Sequence, residues 1–433
     1  MITNHGIHDW TIRSGLVDTG GQNHYVNALS DTLVSQGFRV TILNRGGFPD
    51  PVSGALREGI SHRNKHSRIL YLTGGGNTFI RKEDLNRAVL SEEADHAKQI
   101  FDAEQETFDL VISHYWDGAV LGQLLLKKMD LKIKHVWIPH SLGALKKANF
   151  AGKSKEVIEA CRFEERIQEE RDVLKHVDAV ASTSGDITKT LVDFYGYTPQ
   201  FFLPPCIDTS KIMPIDRKDC KAVYDFLATE DPEAGADIKD KSCLLEVSRT
   251  DSTKRKDVVI RAFAKLLPRH PDLRLLLTLS KDSGIYPELM DLIVTLGIRK
   301  KVVCLGTIPR SLMPELYALT DVYCSPSEME GFGMSVQEAC ACRCATVSSN
   351  RIPFAMEYLL SEVEEGPLTI RWGKAGAVVD AGNVEGFACA IERLLEDGDF
   401  RKKMAANAYA ATIPYFTWPS MTKRMLQQLE VGK

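Results

Sequence analysis

Short, nearly continuous apolar runs alternate along this chain with longer stretches whose apolar positions recur every three to four residues. The first pattern predicts strands buried on both faces, and the second predicts amphipathic helices. In the first half the strands are expected at Val40–Leu43, Ile69–Leu72, Asp109–Ser113, His135–Pro139 and Ala179–Thr183. Helices are expected between them at Gly21–Gly37, Lys82–Glu106, Gly118–Lys128, Lys155–His176 and Gly185–Tyr195. After Pro204-Pro205 a second series runs Cys243–Ser248, Leu273–Leu279, Val302–Leu305, Asp321–Cys324 and Ala345–Ser348, with Gly376–Val379 as a sixth strand. Strands alternating with helices indicate α/β architecture with parallel sheets covered by helices. Two Rossmann-like domains follow, 1–208 and 209–412, joined near 205–215. Residues 413–433 form an amphipathic helix with no domain of its own. The acidic, Gly- and Pro-containing stretch Thr229–Asp240 reads as a surface loop.

One strand–turn–helix carries the densest chemistry. Asp321–Pro326 ends in Ser327-Glu-Met-Glu330-Gly331-Phe332-Gly333, and Met334 opens a helix containing Glu338. Glu330 falls on the turn at the strand's carboxyl end, and Glu338 about two turns into the helix. Ligands bind there in open α/β sheets. The glycines admit a close ligand, the helix start offers N–H groups to an anion, and the two carboxylates suit sugar hydroxyls on either side of a phosphate.

Other candidates also sit at strand ends. Gly20 and Gly21 precede the first long helix, followed by Gln22. Trp116 and Asp117 follow Asp109–Ser113 and suit the apolar face and the hydroxyls of a sugar. His140 lies in Pro139-His140-Ser141-Leu142-Gly143, with Lys146 just beyond. Arg162 and Arg166 recur along the next predicted helix, where a charge stripe ordinarily marks a solvated face. With Lys146, either arginine makes a phosphate clamp. Arg249 and Lys254 leave the first strand of the second series, two cations suited to the charge of a departing diphosphate.

Composition narrows the classes. The 433 residues exceed one ordinary core. A net charge of -4 argues against nucleic acid as the main partner. No apolar run approaches a membrane span, and the amino end lacks signal-peptide character, so stable membrane insertion is not expected. The ten cysteines lie mostly inside apolar patterns and read as reduced core residues of a cytoplasmic protein. The alternating Cys340, Cys342 and Cys344 lack a second cluster at zinc spacing. Three motifs are discounted. No Gly-x-Gly-x-x-Gly occurs. Gly152-Lys153-Ser154 imitates a phosphate loop, but Lys147 stands at the required glycine. Asp397-Gly-Asp399 reads as a helix-start turn, not a metal site.

Taken together, Asp18-Thr-Gly-Gly-Gln22, Ser113-His-Tyr-Trp-Asp117, His140-Ser-Leu-Gly143 with Lys146, Arg166-Ile-Gln-Glu-Glu170, Arg249…Lys254 and Glu330-Gly-Phe-Gly…Glu338 resemble the retaining GT-B glycosyltransferases of family 4. The set resembles in particular the group of sucrose-phosphate synthase, sucrose synthase and mannosylfructose-phosphate synthase. The resemblance implies two Rossmann-like domains facing across a cleft, with a C-terminal helix crossing back to the first. It implies transfer of a hexose from a nucleotide sugar, a UDP-sugar above all, to a small sugar or sugar phosphate, without an obligatory metal. By the same resemblance Arg249 and Lys254 bind the donor diphosphate. Glu338 holds the ribose, and Glu330 holds the hexose with the backbone of Phe332, Gly333 and Met334. Gly20 and Gly21 line the phosphate side, and His140 stands by the reacting centre. Gln22, Trp116, Asp117, Lys146, Arg162 and Arg166 take the acceptor. The chain departs from the family at Arg255, where a glycine is usual, at Cys342-Arg343-Cys344, and at Arg351–Glu357, so base and hexose stay open. The alternatives are transfer to a glycerate-type acceptor, a silent sugar-binding relative, and an epimerase or hydrolase on the same plan.

Overall fold

The computed structural model describes residues 1–13, 16, 18–150 and 154–431. Gly152 and Lys153 of the discounted phosphate-loop lure lie outside them. The chain divides into two compact units, Met1–Pro205 with Trp418–Lys433, and Cys206–Thr417.

In the first unit, Val40–Arg45 pairs in parallel with Ser67–Leu72, and the edge strand Gly59–Asn64 adds antiparallel. A second ladder, Leu110–His114, Lys134–Ile138, Ala179–Ser182 and Phe201–Phe202, is parallel throughout. The segment around Ile2 stitches the two together. Ile2 N donates to Ile112 O at 2.8 Å, and Thr3 N donates to Leu43 O at 3.0 Å. Three of these pieces escape sequence reading. Ile2 is a short bridge among polar residues, Gly59–Asn64 is almost wholly exposed, and Phe201–Phe202 is too short to show a period.

Helix boundaries differ where capping decides them. The helix expected from Lys82 begins at Arg87, because the Asn86 side chain caps Ala88 and Val89. Lys82 is therefore left in a loop. The single helix expected over Lys155–His176 is two, Lys155–Ala160 and Phe163–Leu174. Arg162 breaks it at φ 47°, which turns Phe163 inward against Phe150, ring centroids 5.3 Å apart. The terminal helix Trp418–Leu429 packs on Gly21–Ser35, with Trp418 edge-on to Tyr25 at 4.7 Å. Its approach, residues 413–417, goes with the second unit instead, since Ile207 N donates to Phe416 O at 2.8 Å.

The second unit holds one eight-stranded sheet in the order Val302–Leu305, Arg274–Thr278, Cys243–Glu246, Val322–Ser325, Ala345–Ser349, Ala377–Val379, Arg371–Trp372, Glu364–Glu365. The six expected strands are its parallel part, and only the last two pairings are antiparallel. Helices on both faces explain the uninterrupted apolar runs: Leu244, Leu275, Val302, Val322 and Val347 are all fully buried. Thr229–Asp240 is not the simple surface loop expected. Asp231 is buried, accepting from Arg299 at 2.9 Å and from Cys304 N at 2.8 Å, so the stretch is tied to the sheet edge. Asp397 caps the helix Gly398–Thr412 by accepting from Phe400 N at 2.9 Å, as its turn pattern indicated.

Candidate active site

In the second unit the chain builds Cys243–Glu246 first, then strands on either side of it, so strand order reverses between Cys243–Glu246 and Val322–Ser325. The loops leaving those two neighbours diverge and open a crevice at their carboxyl ends. Lys254 and Glu330 occupy these two loops. They form an ion pair: Lys254 Nζ donates to Glu330 Oε1 at 2.6 Å, and Ser327 Oγ donates to the same oxygen at 3.2 Å. Glu328 N donates to Thr253 O at 2.9 Å, which ties the loops together. Arg249 stands 83% exposed, its only carboxylate neighbour among the described residues being Asp251 at 3.5 Å. One cation is thus locked in place and the other is free to swing.

Gly333 caps the helix Met334–Ala341 at φ 104°, and a Cβ there would lie 2.4 Å from Ile352 Cγ2. Only glycine fits both conditions. Phe332 is buried and anchors the turn, its carbonyl accepting from Phe354 N at 2.8 Å, while Met334 is exposed. The helix begins at Met334 as expected, but Glu338, four residues on, lies about one turn into it rather than two. Its carboxylate receives Arg310 in bidentate fashion, at 3.0 and 2.5 Å, and Tyr317 OH at 3.3 Å. Sequence reading missed Arg310. A lone arginine after Pro309 gave no signal beyond its place after a strand.

Arg255 and Arg343, at two of the three departures noted from the family pattern, keep a glycine-like backbone with φ 49° and 61°. Arg255 is held by Asp257 at 3.0 Å and Glu328 at 3.1 Å, and Arg343 stacks over Tyr409 at 4.8 Å. Side-chain contacts thus secure what glycine would supply by freedom alone.

The first unit reverses its strand order around Ile2, which lies between Val40–Arg45 and Leu110–His114. Gly20 and Gly21 open the helix Gly21–Ser35 in uncrowded space, although Gly20 N is already bonded to Asn23 Oδ1 at 2.9 Å. Gln22 Nε2 donates to Thr3 Oγ1 at 3.0 Å. Asp117 does not present its carboxylate to a ligand. It is fully buried, taking His5 N on Oδ2 and His5 Nδ1 on Oδ1, both at 2.9 Å. Arg166 is likewise spent. It is buried and donates to Glu170 at 2.8 Å, Tyr115 OH at 2.6 Å and Ser141 O at 2.7 Å. Glu170 in turn accepts from Gly143 N, so the pair orders the His140–Gly143 loop.

Trp116, Lys146, Arg162 and Arg166 line a common cavity, of about 270 Å³, which Lys82 and Arg87 join together with Glu83, Glu165 and Glu169. Lys146 bonds Tyr115 OH at 3.1 Å and has no carboxylate partner among the described residues. Arg162 leans on Glu165 at 3.0 Å, and Arg87 on Glu169 at 2.9 Å. Lys82 and Arg87 were hidden in sequence by a run of mixed charge read as helix.

His140 has φ 53°, and its Nε2 lies 2.9 Å from His114 Nδ1. Burial, then the nearby His5, lowers its pKa to about 3. Burial brings His8 and His135 to about 4 and holds His114 well below its ordinary value. All four are neutral in the folded unit and protonate near pH 6.5 once unfolded. Between those values the unfolded chain binds more protons. Their stabilisation is complete above about pH 6.5 and lost as pH falls toward 4. Glu93, raised to about 8 by burial, works in the opposite sense but is one group against four. Hydrogen exchange at Leu110–His114 and Lys134–Ile138 should accelerate beyond its intrinsic pH dependence from pH 6.5 to 4.5. Constant protection would refute the neutral-histidine assignment.

Carboxylates and cations at the carboxyl ends of two Rossmann-like sheets are the arrangement expected of a GT-B glycosyltransferase. Residues 19–211 match the Glycosyltransferase Family 4 domain, and residues 228–411 match the domain of Glycosyl transferases group 1. The chain belongs to these glycosyltransferases and is a hexosyltransferase. It is 28% identical to mannosylfructose-phosphate synthase of Agrobacterium fabrum, over 80% of this chain and 75% of that protein. It is 27% identical to D-inositol 3-phosphate glycosyltransferase of Acidothermus cellulolyticus, over 95% and 86%. The solved sucrose-phosphate synthase of Thermosynechococcus elongatus shares the fold, with TM-score 0.72 and 22% identity over 99% and 98% of the two chains. No helix among the described residues is long and apolar enough to cross a membrane.

Proposed function

We propose that this protein moves a hexose from a nucleotide sugar, a UDP-sugar first among them, to a phosphorylated small sugar or polyol, retaining anomeric configuration. The cavity formed by Lys82, Arg87, Trp116, Lys146 and Arg162 carries the acceptor assignment. It offers an aromatic wall and, in Lys146, a cation that makes no ion pair among the described residues. The names of the relatives, a mannosylfructose phosphate and an inositol 3-phosphate, support a phosphorylated partner. On the donor side Arg249 and Lys254 meet the diphosphate, Glu330 the hexose and Glu338 the ribose. In front-face transfer the bond from the anomeric carbon to phosphate breaks as the acceptor oxygen bonds to the same face. The hydroxyl proton passes to the leaving phosphate oxygen. The proposed chemistry gives the leaving-group charge to fixed cations and needs no resident metal. The ten free thiols support a reducing, cytoplasmic setting.

The test crosses UDP-, ADP- and GDP-hexoses with fructose, fructose 6-phosphate, inositol 3-phosphate and phosphoglycerate, reading released nucleoside diphosphate. Release should require one phosphorylated acceptor. Lys146→Ala should raise KM for that acceptor roughly 10–100-fold, the worth of one charge-assisted hydrogen bond, and leave the donor KM alone. Release without any acceptor, or an unphosphorylated sugar serving as well, would overturn the reading.

A further inference from the structure

Beneath the loop that carries Arg249 and Lys254 lies a pair of opposite charges wholly removed from solvent. Lys256 and Glu246 are each 1% exposed. Lys256 Nζ donates to Glu246 Oε2, to Ser248 Oγ at 3.0 Å and to Thr278 Oγ1 at 3.0 Å, which uses all three ammonium protons. Ser248 Oγ passes its own proton to Glu246 Oε1. Thr278 Oγ1 accepts from Ser248 N at 3.0 Å and donates to Ser248 O at 2.8 Å. Every member of the network is satisfied, and four of these bonds involve the backbone or hydroxyl of Ser248, the residue before Arg249. Tyr323 OH, from the neighbouring strand, holds the preceding carbonyl, Val247 O, at 3.1 Å. Further along, Ser283 Oγ donates to Thr250 O at 2.6 Å.

We infer that the buried Lys256–Glu246 pair is a positioning element that sets the conformation of the loop Ser248–Lys254 and thereby the affinity for the donor's diphosphate. The inference rests on the proposed donor role of Arg249 and Lys254. Neither Lys256 nor Glu246 is accessible to a ligand, so each acts through the loop. Burying both charges costs desolvation that two apolar side chains of similar volume avoid, and such replacements are often neutral or stabilising. Stability therefore gives no reason for the pair. A fixed ammonium that dictates where Ser248 sits does, because it leaves the loop one arrangement that satisfies all its polar groups.

The deciding variant is the double replacement Glu246→Leu with Lys256→Met, which removes both charges together. Its melting temperature should match or exceed wild type. Calorimetric titration with UDP, ADP and GDP should show the preferred nucleotide bound at least ~10-fold more weakly, and the donor KM should rise in step, with the acceptor KM unchanged. A folded double variant that binds within twofold of wild type overturns the inference. If it does not fold, Thr278→Val decides, since it deletes the hydroxyl bridging Ser248 while keeping its shape. A threefold or greater loss of nucleotide affinity supports the inference, and unchanged affinity overturns it. Arg249→Ala and Lys254→Ala are titrated in parallel. If they bind nucleotide as wild type does, the donor reading of the loop fails and takes the inference with it. If they weaken binding while the double variant does not, the inference fails alone.

Discussion

Lys254→Ala is expected to lower kcat/KM at least ~10²-fold, the cost of losing one preorganised electrostatic contact, about 2.7–4 kcal/mol. Lys254 is buried and cannot be replaced by a solvent cation, and its Nζ sits 2.6 Å from Glu330 Oε1. Deleting it removes positive charge from the crevice and leaves Glu330 a repulsive neighbour for phosphate. Glu330→Ala should fall by a similar factor for the complementary reason: Lys254 then loses the partner that aims it. Because the two act as one unit, the double variant should fall by much less than the product of the singles. Arg249→Ala, at an exposed side chain, should lose less than Lys254→Ala. Single-turnover rates with melting temperatures as controls separate chemistry from folding. A Lys254→Ala enzyme of near-normal rate would remove this pair from the mechanism.

Gly333→Ala carries the second large effect. The residue holds φ 104°, and an added Cβ would meet Ile352 Cγ2 at 2.4 Å and Phe354 Cβ at 3.6 Å. Left-handed strain and overpacking together cost about 2–4 kcal/mol. For a unit of this size that lowers Tm by roughly 5–15 °C. The turn cannot relax freely, since Phe332 O is fixed by Phe354 N at 2.8 Å, so the helix start at Met334 must shift and nucleotide affinity should fall with stability. Adding Ile352→Ala removes the overlap but not the φ strain, and should restore only part of the loss. Unaltered melting in Gly333→Ala would show that the turn yields at no cost and that its glycine is not required for shape.

Much of the fold was legible because parallel strands covered on both faces leave uninterrupted apolar runs. All six strands expected in the second unit are present. Elements without that burial were not legible: the exposed edge strand Gly59–Asn64 has no apolar face to read, and the break at Arg162 depends on where Phe163 finds Phe150. Motif residues were found at strand ends, where the backbone must turn and side chains reach a crevice. Lys254, Glu330 and Gly333 could be placed from spacing alone, since all three lie on the loops that leave a strand's carboxyl end. Their neighbours Lys256 and Arg310 could not, because nothing in a lone basic residue tells whether a carboxylate waits for it.

The sequence by itself determined the alternation of strands and helices, the two-unit plan, and which loops carry carboxylates, cations and glycines, because these follow from local periodicity and chain connectivity. Only the tertiary structure decided which of those charges remain available. Asp117 is consumed by His5, 112 positions away, and Arg166 by Glu170 and Tyr115. Glu338 is shared with Arg310, while Lys146 bonds Tyr115 OH and makes no ion pair among the described residues. A buried carboxylate or guanidinium must find a partner or forfeit its solvation energy. Which partner it finds is settled by packing between residues far apart in the chain, which no spacing along the chain records.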